Sequence, residues 1–332
     1  MFRAYKYRLY PNKLQKELIA KHIGSSRFVY NLALETKTNA YIGSKVNLSR
    51  YELQVQLKDL KKECEWLKEI NSQSLQSALL NLDTAYKKFF KGAGFPKFKS
   101  KHKGKQSFSI PQNVIVEDNK LIIPKFKEGI KIVLHREIKG TIKSATISVT
   151  PTGKYFVSIL VDTNIKIPNK VPITESTTIG IDLGIKDFAI TSDGEVFENP
   201  KYLRKAQSKL KYVQRKYSKN KGKRTKQRLA LLHEKVVNKR KDFLHKTSTK
   251  LIRENQTICL ENLAVSNMVK NHNLAQAIND VSWSTFVTML KYKADWYGKN
   301  ILQVGRFAPS SKTCSCCGYI NKELTLKDRE WT

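Results

Sequence analysis

Apolar and polar residues alternate at the start of the chain and then change to a helical period. Residues 2–10 read FRAYKYRLY, with basic side chains between apolar ones, and Pro11 ends this predicted strand. Residues 12–91 then repeat leucine, isoleucine and aromatic side chains every three or four positions. That spacing is typical of amphipathic helices. The first part of the sequence therefore predicts one strand followed by a helical segment.

The helix predicted over 72–90 has two contrasting faces. One face carries leucine and aromatic residues, as expected of a helix that packs on a core. The other face carries polar side chains, namely Gln73, Gln76, Ser77, Lys87 and Lys88. A glutamine amide can bond the edge of adenine, although a solvated polar face explains the same pattern. Both interpretations are compatible with the sequence.

Residues 92–106, GAGFPKFKSKHKGKQ, combine glycine and proline with basic side chains that include Lys97 and Lys99. This composition predicts a basic linker whose phenylalanines either pack or stack on bases. Residues 107–162 change to a β pattern, with one hairpin over Asp118-Asn119 and another over 151–153. Together with residues 2–10 these strands would close a small barrel, with the helices inserted between its first and second strands.

A further hairpin over 177–197, TTIGIDLGIKDFAITSDGEVF, begins a second domain after a linker. Asp182 lies in its first apolar strand, where a buried carboxylate needs a compensating partner. The candidate partners are a metal ion, a nucleotide with its metal, or an ordinary hydrogen bond. A later strand, TICLEN, is apolar on both faces as central strands are, and Glu261 lies at its end.

A strongly basic segment separates these two strands. Residues 201–255 predict an antiparallel helical hairpin, broken at 218–224, with 19 Lys and Arg against two Asp and Glu between 201 and 250. The alternative is a solvated charged coil, but so uneven a charge favours a surface that follows a phosphate backbone. The candidate contacts on this hairpin are Lys209, Lys216, Lys223 and Arg228.

The charge of the whole chain narrows the choice of partner. Of 332 residues, 62 are Lys or Arg and 28 are Asp or Glu, which gives a net charge of +34. These positive charges repel one another unless a polyanion is bound, so nucleic acid is the predicted partner. A membrane surface is disfavoured because the basic residues are spread along the chain rather than gathered on one helix. Since the first residues lack an apolar signal segment, we expect a cytoplasmic location.

Asp182 and Glu261 are predicted to form a pair, because both lie on apolar strands of one α/β domain. The RNase H-like fold arranges metal-binding carboxylates in this way for phosphodiester cleavage. Mg²⁺ suits a site with one or two carboxylates. The segment IGIDLG also resembles the first phosphate loop of actin-like and chaperone-type ATPases. The second phosphate loop and the adenosine pocket of those proteins are not recognisable downstream, so the sequence favours a nuclease.

The cysteines at the end of the sequence suggest a metal-binding motif. Cys314 and Cys317 have C-x-x-C spacing followed by glycine, which is half of a zinc ribbon, and Cys316 is an extra thiol between them. A four-coordinate zinc needs two more ligands, and neither cysteine nor histidine follows Cys317 in the given sequence. The alternative is a set of three reduced thiols, which we consider less consistent with this spacing.

The order of these motifs resembles that of the TnpB family over essentially the whole chain. The segments that carry the resemblance are AYKKFFKGAGFPKFKSK, IGIDLGIKDFAITSDG, ICLENL and SSKTCSCCGY. TnpB proteins are transposon-encoded, RNA-guided DNA nucleases related to type V CRISPR effectors. The resemblance implies a guide RNA from the transposon end, a double-stranded target DNA with an adjacent motif read by the protein, and a location at the prokaryotic nucleoid.

The resemblance also implies roles for individual residues and a domain plan. It makes Asp182 and Glu261 the first two catalytic acids, with Mg²⁺, and Cys314 and Cys317 the first pair of zinc ligands. The implied fold is α+β and multidomain, with an RNase H-like (RuvC) nuclease domain. The implied boundaries are a wedge-like β-barrel at 1–11 and 106–170, a helical recognition lobe with the basic linker at 12–105, the RuvC-like domain at 171–311, and a truncated zinc ribbon at 312–332.

The sequence departs from the family pattern at its end. The family continues with a second C-x-x-C and a third catalytic Asp, whereas this sequence ends at LKDREWT, in which Asp328-Arg329 matches a ribbon strand. We therefore expect residues 1–332 to bind nucleic acid but to hold zinc weakly and to cut poorly. An RNA-guided DNA-binding repressor without cleavage is the alternative function. A strand-transfer enzyme is disfavoured, because the required His pair with a Tyr nucleophile is not recognisable.

Overall fold

The computed structural model describes residues 1–102, 104–305, 312–314, 317–321 and 323–324. These residues form two compact units, Met1–Lys166 and Ile167–Thr332. The first contains the predicted strand, helices, linker and hairpins, and the second contains the two acidic strands and the basic hairpin. None of the described helices is both long and apolar enough to cross a lipid bilayer. Cys316 and Asp328-Arg329 lie outside the described residues.

An antiparallel sheet of seven strands carries the core of the first unit. The strands are β1 (Phe2–Tyr10), β2 (Gln106–Ile110), β3 (Ile115–Glu117), β4 (Lys120–Ile123), β5 (Phe126–Val133), β6 (Thr141–Val149) and β7 (Tyr155–Asp162). Their order in the sheet is β2-β6-β7-β1-β5-β4-β3. In β1, Tyr5, Tyr7 and Leu9 face the core, because alternate residues of a strand point to opposite faces.

The two hairpins predicted from the sequence, β3–β4 and β6–β7, are both present in this sheet. Asp118 and Asn119 join β3 to β4 with positive φ values of 47° and 56°, which suit a two-residue hairpin turn. Among the described strands the sheet is open, with β2 and β3 at its two edges. The closed barrel predicted from the sequence is therefore wrong for these strands. β3 has only three residues, and helices pack against β2 instead of another strand.

Three helices lie between β1 and β2, as predicted: α1 (Lys13–Ser44), α2 (Arg50–Glu63) and α3 (Ser72–Phe89). Asn12 begins α1 through a capping box, in which its Oδ1 accepts from Gln15 N at 2.8 Å and Gln15 Oε1 accepts from Asn12 N at 3.1 Å. The apolar faces of the three helices form a second core in this unit.

His22 is fully buried and joins two of these helices. Its Nδ1 lies 2.8 Å from the Leu18 carbonyl oxygen, and its Nε2 accepts from the backbone N–H of Asn71 at 3.2 Å. Burial lowers the pKa of this imidazole, so the neutral form with a proton on Nδ1 fits both contacts. His22 therefore ties α1 to the start of α3 and is a structural residue.

The second unit contains a mixed sheet of five strands. They are β8 (Thr178–Asp182), β9 (Asp187–Thr191), β10 (Val196–Glu198), β11 (Thr257–Glu261) and β12 (Asn300–Val304), in the order β10-β9-β8-β11-β12. β9 is antiparallel to β8, whereas β11 is parallel to β8 and β12 is parallel to β11. This is the alternation of strands and helices expected of an α/β domain.

The described part of this unit also contains five helices: α4 (Tyr202–Asn220), α5 (Lys223–Glu254), α6 (Val265–Met268), α7 (His272–Val281) and α8 (Trp283–Tyr297). α4 and α5 are the predicted basic hairpin, with the break close to its predicted position. Phe188 of β9 packs edge-on against Phe243 of α5 and Phe286 of α8, at ring-centroid distances of 4.9 and 4.8 Å. These aromatic contacts fix the helices on the sheet.

Asp280, at the end of α7, anchors the basic hairpin. Its carboxylate accepts from the backbone N–H of Leu203 at 3.0 Å and from that of Arg204 at 3.2 Å, so it caps α4 from a distant part of the chain. Arg240 of α5 donates to the same carboxylate at 3.0 Å. Asp280 is buried, and this ion pair is largely shielded from water. One side chain therefore holds both helices of the hairpin.

We predict that Asp280→Ala lowers the free energy of unfolding by about 3 kcal/mol, because it leaves Arg240 buried without a counter-charge and α4 without its cap. Asp242→Ala is the matched control, since Asp242 is an exposed partner of Lys246 on the same hairpin. Its loss should stay below about 0.5 kcal/mol. Urea denaturation of both variants measures the difference, and equal losses would contradict the anchoring role of Asp280.

Candidate functional site

The two predicted acids lie side by side at one edge of the second sheet. Asp182 is the last residue of β8, and Glu261 is the last residue of β11. These strands are parallel neighbours in which Ile181 pairs with Leu260, so Asp182 and Glu261 directly follow a pair of aligned residues, and the charge of Asp182 acts on Glu261. Paired residues of adjacent strands put their side chains on the same face. The fold therefore brings together two carboxylates that are far apart in the sequence.

The electrostatics of this pair are unfavourable in the protein alone. Burial raises the pKa of the Glu261 carboxyl above its ordinary value, and the charge of Asp182 raises it further. Neither carboxylate has a lysine or arginine partner among the described residues. Two close acids that lack a cationic partner are a suitable oxygen donor set for a divalent cation.

Asp182 is exposed, which corrects the expectation that it is a buried acid. The strand ends at this residue, so its side chain projects at the rim of the sheet while Ile181 and Leu183 are buried. Gly184 then turns the chain toward β9. A Cβ at this glycine would lie 2.7 Å from the Asp187 carbonyl oxygen, so the tight turn after Asp182 requires glycine.

Within the described residues, no group of three or more His, Cys, Asp or Glu side chains meets in a way that could hold a metal ion. The acids Asp182 and Glu261 are thus a two-carboxylate site in this part of the chain. Mg²⁺ is commonly held by one or two carboxylates and keeps several water ligands, so the donor set fits that ion.

The segment around Cys314 and Cys317 forms a small turn. Thr313 pairs with Ile320 in an antiparallel bridge, Cys314 N donates to Tyr319 O at 2.8 Å, and Gly318 N donates to Cys314 O at 3.0 Å. Gly318 has a φ of 73°, which favours glycine after the second cysteine. The two cysteines therefore lie on one short hairpin, which is compatible with half of a four-ligand zinc site.

The basic residues predicted on the hairpin are all exposed, namely Lys209, Lys216, Lys223 and Arg228. The buried positions of α4 and α5 are mostly apolar, including Leu210, Val213 and Val236, while Thr247 and Ser248 of α5 are buried polar residues. The sequence pattern therefore separates an inner apolar stripe from an outer basic face, as the 3.6-residue period predicts.

The polar residues predicted on α3 have different environments. Gln73 is half-buried, and its Nε2 donates to Gln112 Oε1 at 3.0 Å. Gln76 and Lys88 are exposed, and Lys87 forms an exposed ion pair with Asp83 at 2.9 Å. Gln76 is therefore more accessible to a partner than Gln73.

The basic linker is fixed on the helices rather than loose. Asn31 bonds both backbone groups of Lys99, donating to its carbonyl at 3.0 Å and accepting from its N–H at 2.8 Å. The Lys99 Nζ lies 3.8 Å from the centroid of the Tyr30 ring, and Phe95 packs edge-on against Phe89. The contacts to Lys99 could not be found from sequence, because Asn31 lies 68 residues away in the chain.

A polar groove of about 680 Å³ opens between α1, α3, the linker and β2. Its basic lining side chains are Arg27, Lys97, Lys99 and Lys105, and its polar ones include Ser74, Ser77 and Asn81. Among the described residues, the hydroxyls of Ser26 and Ser74 are buried there without a hydrogen-bond partner. Sequence reasoning found the two linker lysines and Ser77 but missed Ser74 and Asn81, which also line the groove from α3.

Three regions of the chain match known protein families. Residues 158–272 match a family described as "Probable transposase", residues 1–45 a "Helix-turn-helix domain", and residues 283–332 a "Cas12f1-like, TNB domain". In this structure residues 1–45 form β1 and α1, so that description does not correspond to a helix-turn-helix here.

The relatives that cover nearly the whole chain include two that are at least 30% identical to it. A "Putative RNA-guided DNA endonuclease" of Streptomyces pristinaespiralis is 37% identical over 99% of this chain and 84% of its own length. The "Putative RNA-guided DNA endonuclease InsQ" of Escherichia coli strain K12 is 30% identical over 99% of this chain and 86% of its own. This chain belongs to the TnpB family. A "Cryo-EM structure of the Cas12f1-sgRNA-target DNA complex" aligns with 97% of this TnpB chain and 89% of its own at 16% identity, with a TM-score of 0.31, which is too low to support an argument.

We predict that Glu261→Gln raises the thermal stability of the metal-free protein at neutral pH. The folded state holds the Glu261 proton more tightly than the unfolded chain does. The contribution of this carboxyl to the free energy of unfolding therefore falls as the pH rises from 4.5 through the raised pKa. Above that window the charged carboxylate destabilises the fold, and glutamine removes this effect.

Added Mg²⁺ should raise the melting temperature of the wild type but not that of Glu261→Gln. Glu198→Gln is the control, since Glu198 is an exposed carboxylate on the same sheet. Differential scanning fluorimetry with and without Mg²⁺ measures both effects. A variant that is less stable than the wild type without metal would contradict the unfavourable environment of Glu261.

Proposed function

We propose that this protein is an RNA-guided DNA endonuclease of RuvC type and that Asp182 and Glu261 hold its Mg²⁺. The observation that carries the proposal is the parallel register of β8 and β11, which pairs the ends of the two acidic strands. The proposal is supported by the TnpB relatives, which are named RNA-guided DNA endonucleases. It is also supported by the absence of a cationic partner for either acid among the described residues.

In this proposal the two carboxylates would hold divalent cations through their oxygen atoms. The bound cations would supply activation of the attacking water and charge stabilisation of the leaving oxygen of the phosphodiester. Glu261 must lose its proton to act as a ligand, and its raised pKa makes metal binding weaker at acidic pH. Cleavage should therefore decline as the pH is lowered into the range where Glu261 is protonated.

Basic side chains supply the binding of the nucleic acids. The outer face of the α4–α5 hairpin, with Lys209, Lys216, Lys223 and Arg228, suits the backbones of a guide RNA and of its duplex with target DNA. Its exposed charges are spread along two long helices, so they would track many phosphates and bind with little regard to sequence. We propose that the guide comes from the transposon end, as the family resemblance implies.

The groove of the first unit is the proposed reader of the adjacent DNA motif. It combines basic side chains for phosphates with hydroxyl and amide groups that can bond base edges, including Ser77 and Asn81. Gln76, Lys87 and Lys88 lie on the same helix and would extend the contact surface. The buried hydroxyls of Ser26 and Ser74 support this role, because buried polar atoms normally have partners.

Cys314 and Cys317 are proposed to hold a structural Zn²⁺ together with two further ligands. Their hairpin, with Gly318 in the left-handed region, supports this assignment. An RNA-guided DNA-binding repressor is the second candidate function. The observation that favours it is that only two carboxylates meet at the proposed site within the described residues, whereas a RuvC-type site is expected to use three.

We predict that Asp182→Ala and Glu261→Ala each reduce guided cleavage by the full-length protein at least about 100-fold, because the loss of either carboxylate under-coordinates the metal. Target binding should stay within about twofold of the wild type. The measurements are a Mg²⁺-dependent cleavage assay and a binding assay with guide and target. Substantial cutting by either variant would remove that residue from the site, and no cutting by the wild type would favour the repressor.

We predict that Ser77→Ala combined with Asn81→Ala weakens the preference for the adjacent motif by roughly 1–3 kcal/mol, because the groove loses hydrogen bonds to base edges. Thr84→Ala is the control, since Thr84 is an exposed residue of α3 that bonds its own helix at Leu80 O and does not line the groove. Competition binding between matched targets with and without the motif measures the preference. An unchanged preference would assign motif reading to another surface, with Gln76 and Tyr10 next to be tested.

A further inference from the structure

We infer that a second pocket, beside the two acids, takes one base of the single-stranded target DNA near the cleavage position. The inference rests on the proposed nuclease function, and it names the residues that would position the single-stranded DNA for cleavage. The pocket has a volume of about 210 Å³ and lies entirely within the second unit. Its walls carry Asn199, Lys201, Arg204 and Gln207 on one side and Asn273 and Gln276 on the other.

The pocket lies at the same edge of the sheet as the acids. Ile185, three residues after Asp182, contributes to its lining, and consecutive Cα atoms are about 3.8 Å apart. The Cα atoms of Asp182 and Ile185 are therefore separated by at most about 11 Å. Its opposite wall is α7, which belongs to the segment that follows Glu261. A stacked strand advances about 3.4 Å per nucleotide, so a base in this pocket would lie within about three nucleotides of a phosphate at the acids.

The volume of the pocket limits what it can hold. Sites for drug-sized ligands occupy roughly 300–1,000 Å³, so this pocket is suited to a single ring system. A base inside a duplex cannot enter such a pocket, because it is stacked and paired. The occupant is therefore an unpaired base, and the DNA strand that guide pairing displaces provides one.

Hydrogen-bonding groups in the pocket match the edge of a base. Gln207 Nε2 donates to Gln276 Oε1 at 3.2 Å, which leaves the oxygen of Gln207 and the amino group of Gln276 as an acceptor and a donor. A base edge also presents donors and acceptors together. Because both members of the amide pair can rotate or exchange roles, the pocket should accept more than one base.

Asn199 has a different role, since its side chain is already engaged. Its Nδ2 donates to Ile185 O at 2.7 Å, and its Oδ1 accepts from Lys201 N at 3.0 Å. These bonds fix the wall of the pocket to the turn that follows Asp182. Asp280 also borders the pocket, but its charge is compensated by Arg240 and by the N–H groups of α4. Lys201 and Arg204 then provide positive charge for the flanking phosphates.

The first experiment uses the assembled complex of the full-length protein with guide and target, in EDTA, so that it does not depend on cleavage. A photoreactive thymidine analogue is placed at successive positions of the displaced DNA strand, and cross-linked residues are identified by mass spectrometry. The expected result is cross-linking to residues 199–207 or 273–277 from one or two consecutive positions. Cross-links that map only to other segments would overturn the inference, whether or not the protein cleaves DNA.

The second experiment measures cleavage of targets in which single bases are removed. In the wild type, an abasic nucleotide at the cross-linked position should slow cleavage roughly 5-fold or more, since contacts to one base are worth that much. The double variant Asn273→Ala, Gln276→Ala should be slowed by a similar factor with the intact target and show no further loss with the abasic one.

Asn279→Ala is the matched control, because Asn279 is an exposed residue of α7 that bonds Ala275 O and does not line the pocket. This variant should cleave the intact target at the wild-type rate, and it should cleave the abasic target as slowly as the wild type does. If an abasic nucleotide slows cleavage by the double variant as much as it slows cleavage by the wild type, the pocket does not hold the base. If the wild type cleaves no target at all, the nuclease proposal fails, while the cross-links still decide whether the pocket contacts DNA.

Discussion

The parallel pairing of β8 with β11 is the constraint on which the arrangement of the second unit depends. Parallel neighbours cannot be joined by a tight turn, so a long crossover must connect them. In this chain the crossover contains β9, β10 and the whole α4–α5 hairpin. Because the carboxyl ends of parallel strands meet at one edge, the same pairing brings Asp182 next to Glu261. The position of the acids and that of the basic hairpin are therefore two consequences of one strand pairing.

That arrangement has an energetic cost, which a bound cation would offset. Burial and the neighbouring Asp182 charge both disfavour the charged form of Glu261. The whole chain has a net charge of +34, and repulsion among its positive charges likewise destabilises the compact state. In both cases the missing partner is an ion of opposite charge, namely a divalent cation at the acids and a polyanion at the basic surfaces. The features that weaken the isolated protein are thus the ones that favour binding.

Periodic features of this fold could be predicted from the sequence, and long-range side-chain contacts could not. The strand over 2–10, the helix over 72–90 and the break in the basic hairpin follow from local patterns of apolar residues and turn residues. Asp280 gave no such signal, because its partners at Leu203 and Arg240 are 77 and 40 residues away. The exposure of Asp182 depends on where β8 ends, and strand ends are set by tertiary contacts as much as by local sequence.

The anchoring of α5 explains how a helix with so few apolar positions keeps a defined orientation. Near its middle, Arg240 bonds Asp280 at 3.0 Å. Further along, Lys293 of α8 is buried and donates to the His245 carbonyl at 2.9 Å and to the hydroxyls of Ser248 and Thr249 at 2.7 Å each. Burial lowers the pKa of Lys293 to about 8, so the amine is still mostly protonated at neutral pH. Hydrogen bonds are directional, whereas apolar contacts are not. Two buried polar contacts therefore fix both the position and the rotation of α5, and its basic face is held in a constant direction even though its charges repel one another.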